Sequence, residues 1–184
     1  NVSSISTVRS SALPPESQLG AFLKRVDYAD CFALSTNSGS LSILEIYAAI
    51  LGHLPDAFKH LIVLRSQFVR PMGIRGVSYD ELARSIDTTR TYSAGDRIGR
   101  WTLFAETRDE LVAGADDKHL DFRVSILRER RATGERVIFS TGVQTHNLLG
   151  RVYLAVILPF HRFGVAKLLT RAAEARRLDA PEER

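Results

Sequence analysis

Between Trp101 and His146 apolar and polar residues alternate with a period of two; from Leu148 to about Arg177 apolar residues recur with the period of a helix. That switch is the strongest constraint on the fold. Trp101, Leu103 and Ala105 alternate with Thr102, Phe104 and Glu106. Leu120, Phe122, Val124 and Ile126 alternate with His119, Asp121, Arg123 and Ser125. Val137, Phe139, Thr141, Val143 and Thr145 alternate with Ile138, Ser140, Gly142, Gln144 and His146. With a shorter strand over 110–115 and a turn at Thr133-Gly134, this predicts a four-stranded antiparallel meander. Such a sheet has an apolar face to cover, and the C-terminal helix is the one element of sufficient length. Pro159 is expected to kink or split that helix.

Upstream, Tyr28 to Ser35 reads as a strand with Phe32 and Leu34 on one face, followed by a turn at Asn37-Ser-Gly39. Ser42 and Glu45 form a capping box ahead of Ile43, Leu44, Ile46, Tyr47, Ile50 and Leu51, which have helical spacing. Pro55 ends that helix, and Asp56 starts a second that runs to Pro71-Met-Gly73. Gly73 to Gly95 is a polar surface excursion, with a short helix over about 79–86 behind the Ser78–Glu81 capping box. Leu19 to Val26 has room for one or two helical turns. Residues 1–11 are expected to be frayed or loosely paired, and residues 178–184 to form a polar tail. The 184 residues therefore predict one α+β domain: two short helices after the first strand, then a curved antiparallel sheet wrapped around a long C-terminal helix.

Composition narrows the class. Apolar residues make up 45% and charged residues 25%, which excludes disorder and coiled-coil rods for most of the chain. The single cysteine, Cys31, excludes an internal disulfide and a multi-cysteine metal site, and is read as a small buried side chain. A net charge of +4 without a basic stripe interleaved with aromatics argues against nucleic acid. No run of apolar residues reaches the roughly 18 of a membrane span. A cytoplasmic location is expected. No Walker loop, GxGxxG, HExxH or Gly-x-Ser-x-Gly motif is present, so no cofactor and no metal are expected.

The element order resembles the helix-grip fold of the START-like (SRPBCC) lipid-transfer and pollen-allergen superfamily. Narrower still are Asp27-Tyr-Ala-Asp30, Trp101-Thr-Leu-Phe104, Asp117-Lys-His-Leu-Asp-Phe-Arg123, Ser140-Thr-Gly-Val143, His146-Asn-Leu-Leu-Gly-Arg151 with Tyr153, and Pro159-Phe-His-Arg162. In order and spacing they resemble the bacterial domain-of-unknown-function family 2867, over about Val8 to Ala173. The resemblance implies a fold and no established activity. The wider superfamily includes carriers of apolar ligands, polyketide cyclases and hydrolases, so fold does not convert into function.

Three functions stay open. The first is binding of an apolar or amphipathic small molecule between sheet and helix, with Trp101, Leu103, Phe122, Phe139, Val143, Tyr153, Val156, Phe160 and Phe163 as walls. The second is a cofactor-independent cyclase, dehydratase or hydrolase using His119, Asp121, Arg123, Tyr153 and His161. The third is a protein-interaction module with a filled core and a large apolar surface patch. Whether the chain is an enzyme, and its oligomeric state, are left open. His119, Asp121 and Arg123 point the same way along one strand. Facing solvent, they would be ordinary surface charges; facing the groove, Asp121 could orient His119 as a base. Asn147 is a natural cap for the long helix. His161 and Arg162 have two readings: they could satisfy carbonyls freed by Pro159, or His161 could face the groove with Tyr153.

Overall fold

The computed structural model describes residues 7–10, 12–36, 38–70, 73, 76–132 and 134–179. One sheet contains β1 (Thr7–Ser10), β2 (Tyr28–Thr36), β3 (Arg97–Ile98), β4 (Trp101–Glu106), β5 (Glu110–Asp116), β6 (Leu120–Arg131) and β7 (Gly134–Thr145). Its order is β1-β2-β7-β6-β5-β4-β3, with antiparallel neighbours throughout. The helices are α1 (Ile43–Leu51), α2 (Asp56–Val69), α3 (Tyr79–Ala83) and α4 (Leu148–Glu174), with a 3₁₀ turn at Gln18–Phe22. The class is α+β: a curved antiparallel sheet and a long C-terminal helix, consistent with a helix grip.

The elements form for the reasons their residues suggest. Ser42 and Glu45 close the capping box of α1, and Ser78 and Glu81 that of α3. Asn147 caps α4 by accepting from the Gly150 N–H at 3.0 Å. A Cβ at Gly150 would stand 2.1 Å from the His119 carbonyl oxygen, so glycine lets the first turn of α4 close on the start of β6. α3 ends at Ala83, short of the expected Ile86. The two-residue β3 has no period to reveal it. β1 pairs with β2, Thr7 opposite Leu34 and Ser10 opposite Cys31. Residues 1–6 and 11, Asn37 and Thr133 of the expected turns, parts of the 73–95 excursion, and residues 180–184 lie outside the described residues. Leu178 is buried in the core, which anchors the start of the segment read as a tail.

α4 runs unbroken through Pro159. That proline is exposed, so the carbonyl it cannot bond is left to water.

One face of the sheet holds Phe32, Leu34, Leu103, Val124, Ile126, Val137 and Phe139. α1 sits on β5 and β6, and α4 crosses β1, β2 and β7. Their Ile46, Tyr47, Ile50, Val165, Leu169 and Ala172 complete the core. Each large apolar side chain so buried contributes about 1.5–3 kcal/mol. α2 lies beside α4: Phe58 approaches Gly164, and Arg65 donates to the Tyr153 hydroxyl.

The other face is covered too. Leu13 packs with Cys31, Leu127 and Ile138, and the 3₁₀ turn lies over β5, β6 and β7. Leu19 fills the space that a Cβ at Gly142 would need. Arg123 and Ser125, on this face, are therefore buried rather than solvated. Cys31 is buried, its thiol donating to the Ala12 carbonyl and accepting from Ser140; burial pushes its pKa up.

Asp27 fastens the start of β2 to the end of β7. It accepts from the N–H and hydroxyl of Thr145, both at 2.8 Å, and pairs with Arg25. The Arg25 hydrogen bond first, then the Thr145 amide, hold its carboxyl well below the usual range. A carboxylate depressed on folding stabilises fully above its unfolded pKa of about 3.9, and the contribution fades as pH falls through the folded value. Urea unfolding of wild type and Asp27→Asn at pH 7 and pH 2.5 should show the gap between them shrinking in acid. A gap independent of pH would assign the loss to packing instead.

Candidate functional site

The inward stripe of α4 contains Leu154, Leu158, His161, Val165, Leu169 and Ala172. Their spacing of four, three, four, four and three is that of a helix face packed on a core. His161 is the polar member of that stripe. Opposite it on the sheet, Tyr28 and Asp30 share the face of Phe32 and Leu34, and Thr141 of β7 stands directly across from Asp30.

These groups meet. Asp30 is fully buried. Its Oδ2 accepts from the Tyr28 hydroxyl at 2.6 Å. The His161 Nε2 lies 3.6 Å from the Asp30 Oδ1 and 3.1 Å from the Thr141 hydroxyl. The Arg162 Nε donates to the Tyr28 hydroxyl at 3.1 Å, with its guanidinium 5.5 Å from the centre of that ring. Hydrogen bonds therefore run from Arg162 through Tyr28 to Asp30. Burial raises the Tyr28 pKa, reinforced by the bond to Asp30 and opposed by Arg162. The His161 side chain remains 25% exposed, so an imidazole links a fully buried carboxylate to the surface. His161 and Arg162 thus hold sheet partners, and not the helix carbonyls freed by Pro159.

The other candidates are dispersed. Arg123 pairs with Asp116 at 2.7 Å, donates to the Phe122 carbonyl at 2.9 Å, and stacks 3.7 Å from the Phe104 ring centre on the face covered by Leu13 and the 3₁₀ turn. Asp121 faces the His146 Nε2 at 3.0 Å. The His119 ring lies against the Asn147 amide that caps α4. His119, Asp121 and Arg123 therefore hold three separate sets of partners and do not meet one another. Tyr153 bonds and stacks with Arg65, and burial raises its pKa against the opposing charge of that arginine. Tyr153 and His161 hold different partners. No group of three or more metal-ligating side chains occurs among the described residues.

Besides Tyr153, which holds Arg65, the expected wall residues divide into three groups. Leu103, Phe139 and Val143 are buried in the sheet. Trp101 and Phe122 are half-buried and meet edge to face at 5.4 Å. Val156, Phe160 and Phe163 are 62%, 61% and 67% exposed, on the side of α4 away from the sheet. They do not line the seam, because the Leu154–Leu158–His161–Val165 stripe occupies the inward side. A hollow beside α1, lined by Tyr47, Arg84, Ile98 and Arg100 among others, measures about 10 Å³, room for about one water.

Asp30, Tyr28 and Thr141 were not among the expected site residues. A signal existed: a lone carboxylate in phase with Phe32 and Leu34 is an acid on an apolar face.

A sequence model described as a protein of unknown function (DUF2867) matches residues 22–168. No curated protein and no solved structure matches the chain.

Proposed function

Since the chain belongs to the DUF2867 family, a family of unknown function, we propose a function from its geometry. It is a START-like domain that binds an amphipathic small molecule in the seam between the sheet and α4. The polar end of the ligand meets Tyr28, Asp30, Thr141 and His161. Its apolar part lies against the half-buried Trp101, Phe122, Ile157 and Leu158.

The observation that carries this reading is Asp30, a carboxylate with no exposure beside a histidine that reaches solvent. A seam selected for stability alone has no use for it. Replacing a buried polar cluster with packed apolar groups is often neutral or stabilising. Titratable groups with perturbed pKa values cluster at functional sites, and Tyr28, raised by burial, is one of them.

The His161–Asp30 pair favours a second reading, in which the seam performs acid–base chemistry. An imidazole ring nitrogen can both accept and donate a proton, and a carboxylate beside it orients the ring. His161 would be the proton carrier and Asp30 its positioning residue.

Native mass spectrometry of freshly purified protein tests the binding. The expected result is an adduct of a few hundred daltons that is lost on denaturation. Asp30→Asn should reduce its occupancy at least tenfold with little change in melting temperature. A clean mass for the wild type, or equal occupancy in Asp30→Asn, would overturn the assignment. If His161→Ala keeps the adduct but no longer converts the released compound, the acid–base reading gains.

A further inference from the structure

α4 has an outer face as ordered as its inner one. Leu148, Val152, Val156, Phe160 and Phe163 are 73%, 53%, 62%, 61% and 67% exposed. Spacings of four, four, four and three place them in one row about 22 Å long. Together they leave on the order of 600 Å² of apolar surface in water, at the top of the usual range for a monomer's largest patch. A standard interface removes about 800 Å² from each partner, so this row with its margins is of the size a dimer needs.

We propose that this row is the contact of an antiparallel homodimer, with its two-fold axis at Val156. The row is close to symmetric about that residue. Val152 and Phe160 are each four residues from it; Leu148 and Phe163 are eight and seven away. A two-fold axis sets Val152 against Phe160 of the second copy, and Leu148 against Phe163. Each pair matches a smaller side chain with a ring, and a two-fold contact requires self-complementarity of this kind. Ala155 and Pro159, also exposed on α4, let two backbones approach.

Charge favours a second copy over lipid. By length and composition α4 could cross a membrane, with a mean hydropathy of 1.5 over its most apolar window. Its inward side, however, holds His161 and Arg162 against the sheet. A helix lying on an anionic bilayer carries Lys and Arg on the polar face that borders its apolar one. Here Arg151 is the one charged residue exposed between Leu148 and Phe163, and Lys167 and Arg171 lie beyond the row. They fall outside the overlap of two antiparallel copies.

Sedimentation equilibrium of the full chain is expected to give a dimer at tens of micromolar. Phe160→Glu should weaken self-association at least 100-fold with an unchanged circular dichroism spectrum. Val156→Cys should cross-link two copies under mild oxidation, and Leu148→Cys should not, because only the residue on the axis meets itself. A monomeric wild type overturns the proposal, as does a dimer that Phe160→Glu leaves intact. A monomer that co-sediments with anionic phosphatidylserine vesicles overturns it in favour of a lipid surface.

Discussion

Replacing Glu110 with alanine is expected to destabilise the protein by about 3 kcal/mol, since it leaves the buried Ser125 and half-buried Ser17 hydroxyls and the N–H of the exposed Gln18 without this acceptor. Glu110 is 3% exposed at the start of β5. Its Oε1 accepts from the Ser17 hydroxyl at 2.6 Å and the Ser125 hydroxyl at 2.5 Å, and its Oε2 accepts from the Gln18 N–H at 2.8 Å. Two of those donors belong to the N-terminal arm, so one carboxylate ties the arm to the sheet. Glutamine should be far milder. Its oxygen can take the Gln18 N–H, and the two serine hydroxyls can turn and accept from its amide. For a chain of this size 1 kcal/mol shifts the melting temperature by about 2–4 °C, so alanine should lower it by about 10 °C. Limited trypsin digestion should then cut the arm early, at the exposed Lys24 or Arg25. An alanine variant within about 1 kcal/mol of wild type by urea unfolding would show that the arm is held by apolar contact alone.

That arm explains where the sequence is and is not legible. The meander and both capping boxes follow from periods and caps, which are local. Alternation divides the β6 side chains between two faces and leaves open which set points inward; in the structure the apolar set faces the core. What alternation cannot say is whether the polar face meets water. Arg123 and Ser125 look like surface residues until Leu13 and Leu19, about a hundred residues upstream, are laid across their face of the sheet. Glu110 is hidden for the same reason: its donors are 92, 93 and 15 residues away.

The site was half legible. His161 stands out once α4 is split into phases, because it continues the spacing of Val165 and Leu169. Read as one apolar set, the helix gives Val156, Phe160 and Phe163 to the core, although they point more than a third of a turn away from the centre of that stripe. A helix apolar on two sides has no single moment to orient it. The juxtaposition of Asp30 with His161 depends on α4 crossing β2 and β7, a tertiary fact with no local trace.

Gly114→Ala is the second large effect expected, about 3 kcal/mol. Gly114 stands opposite Arg123 in the β5–β6 pair. A Cβ there would lie 2.1 Å from the Phe122 carbonyl oxygen and 3.1 Å from both the Cα and Cδ of Arg123. Two of these three neighbours are backbone, which cannot swing aside, so the strands must part or twist. The third is the stem by which Arg123 reaches the Phe104 ring and Asp116. The double variant Gly114→Ala/Arg123→Ala separates the two sources. If the backbone clash dominates, removing the arginine stem gives no relief, and the two losses add within about 0.5 kcal/mol in urea unfolding. A double variant more stable than Gly114→Ala alone would place the strain in the side chain. Either way Arg123 is fixed on the arm-covered face by β4, β5 and β6 together. Variants there should change stability and leave any ligand held by Asp30 and His161 in place.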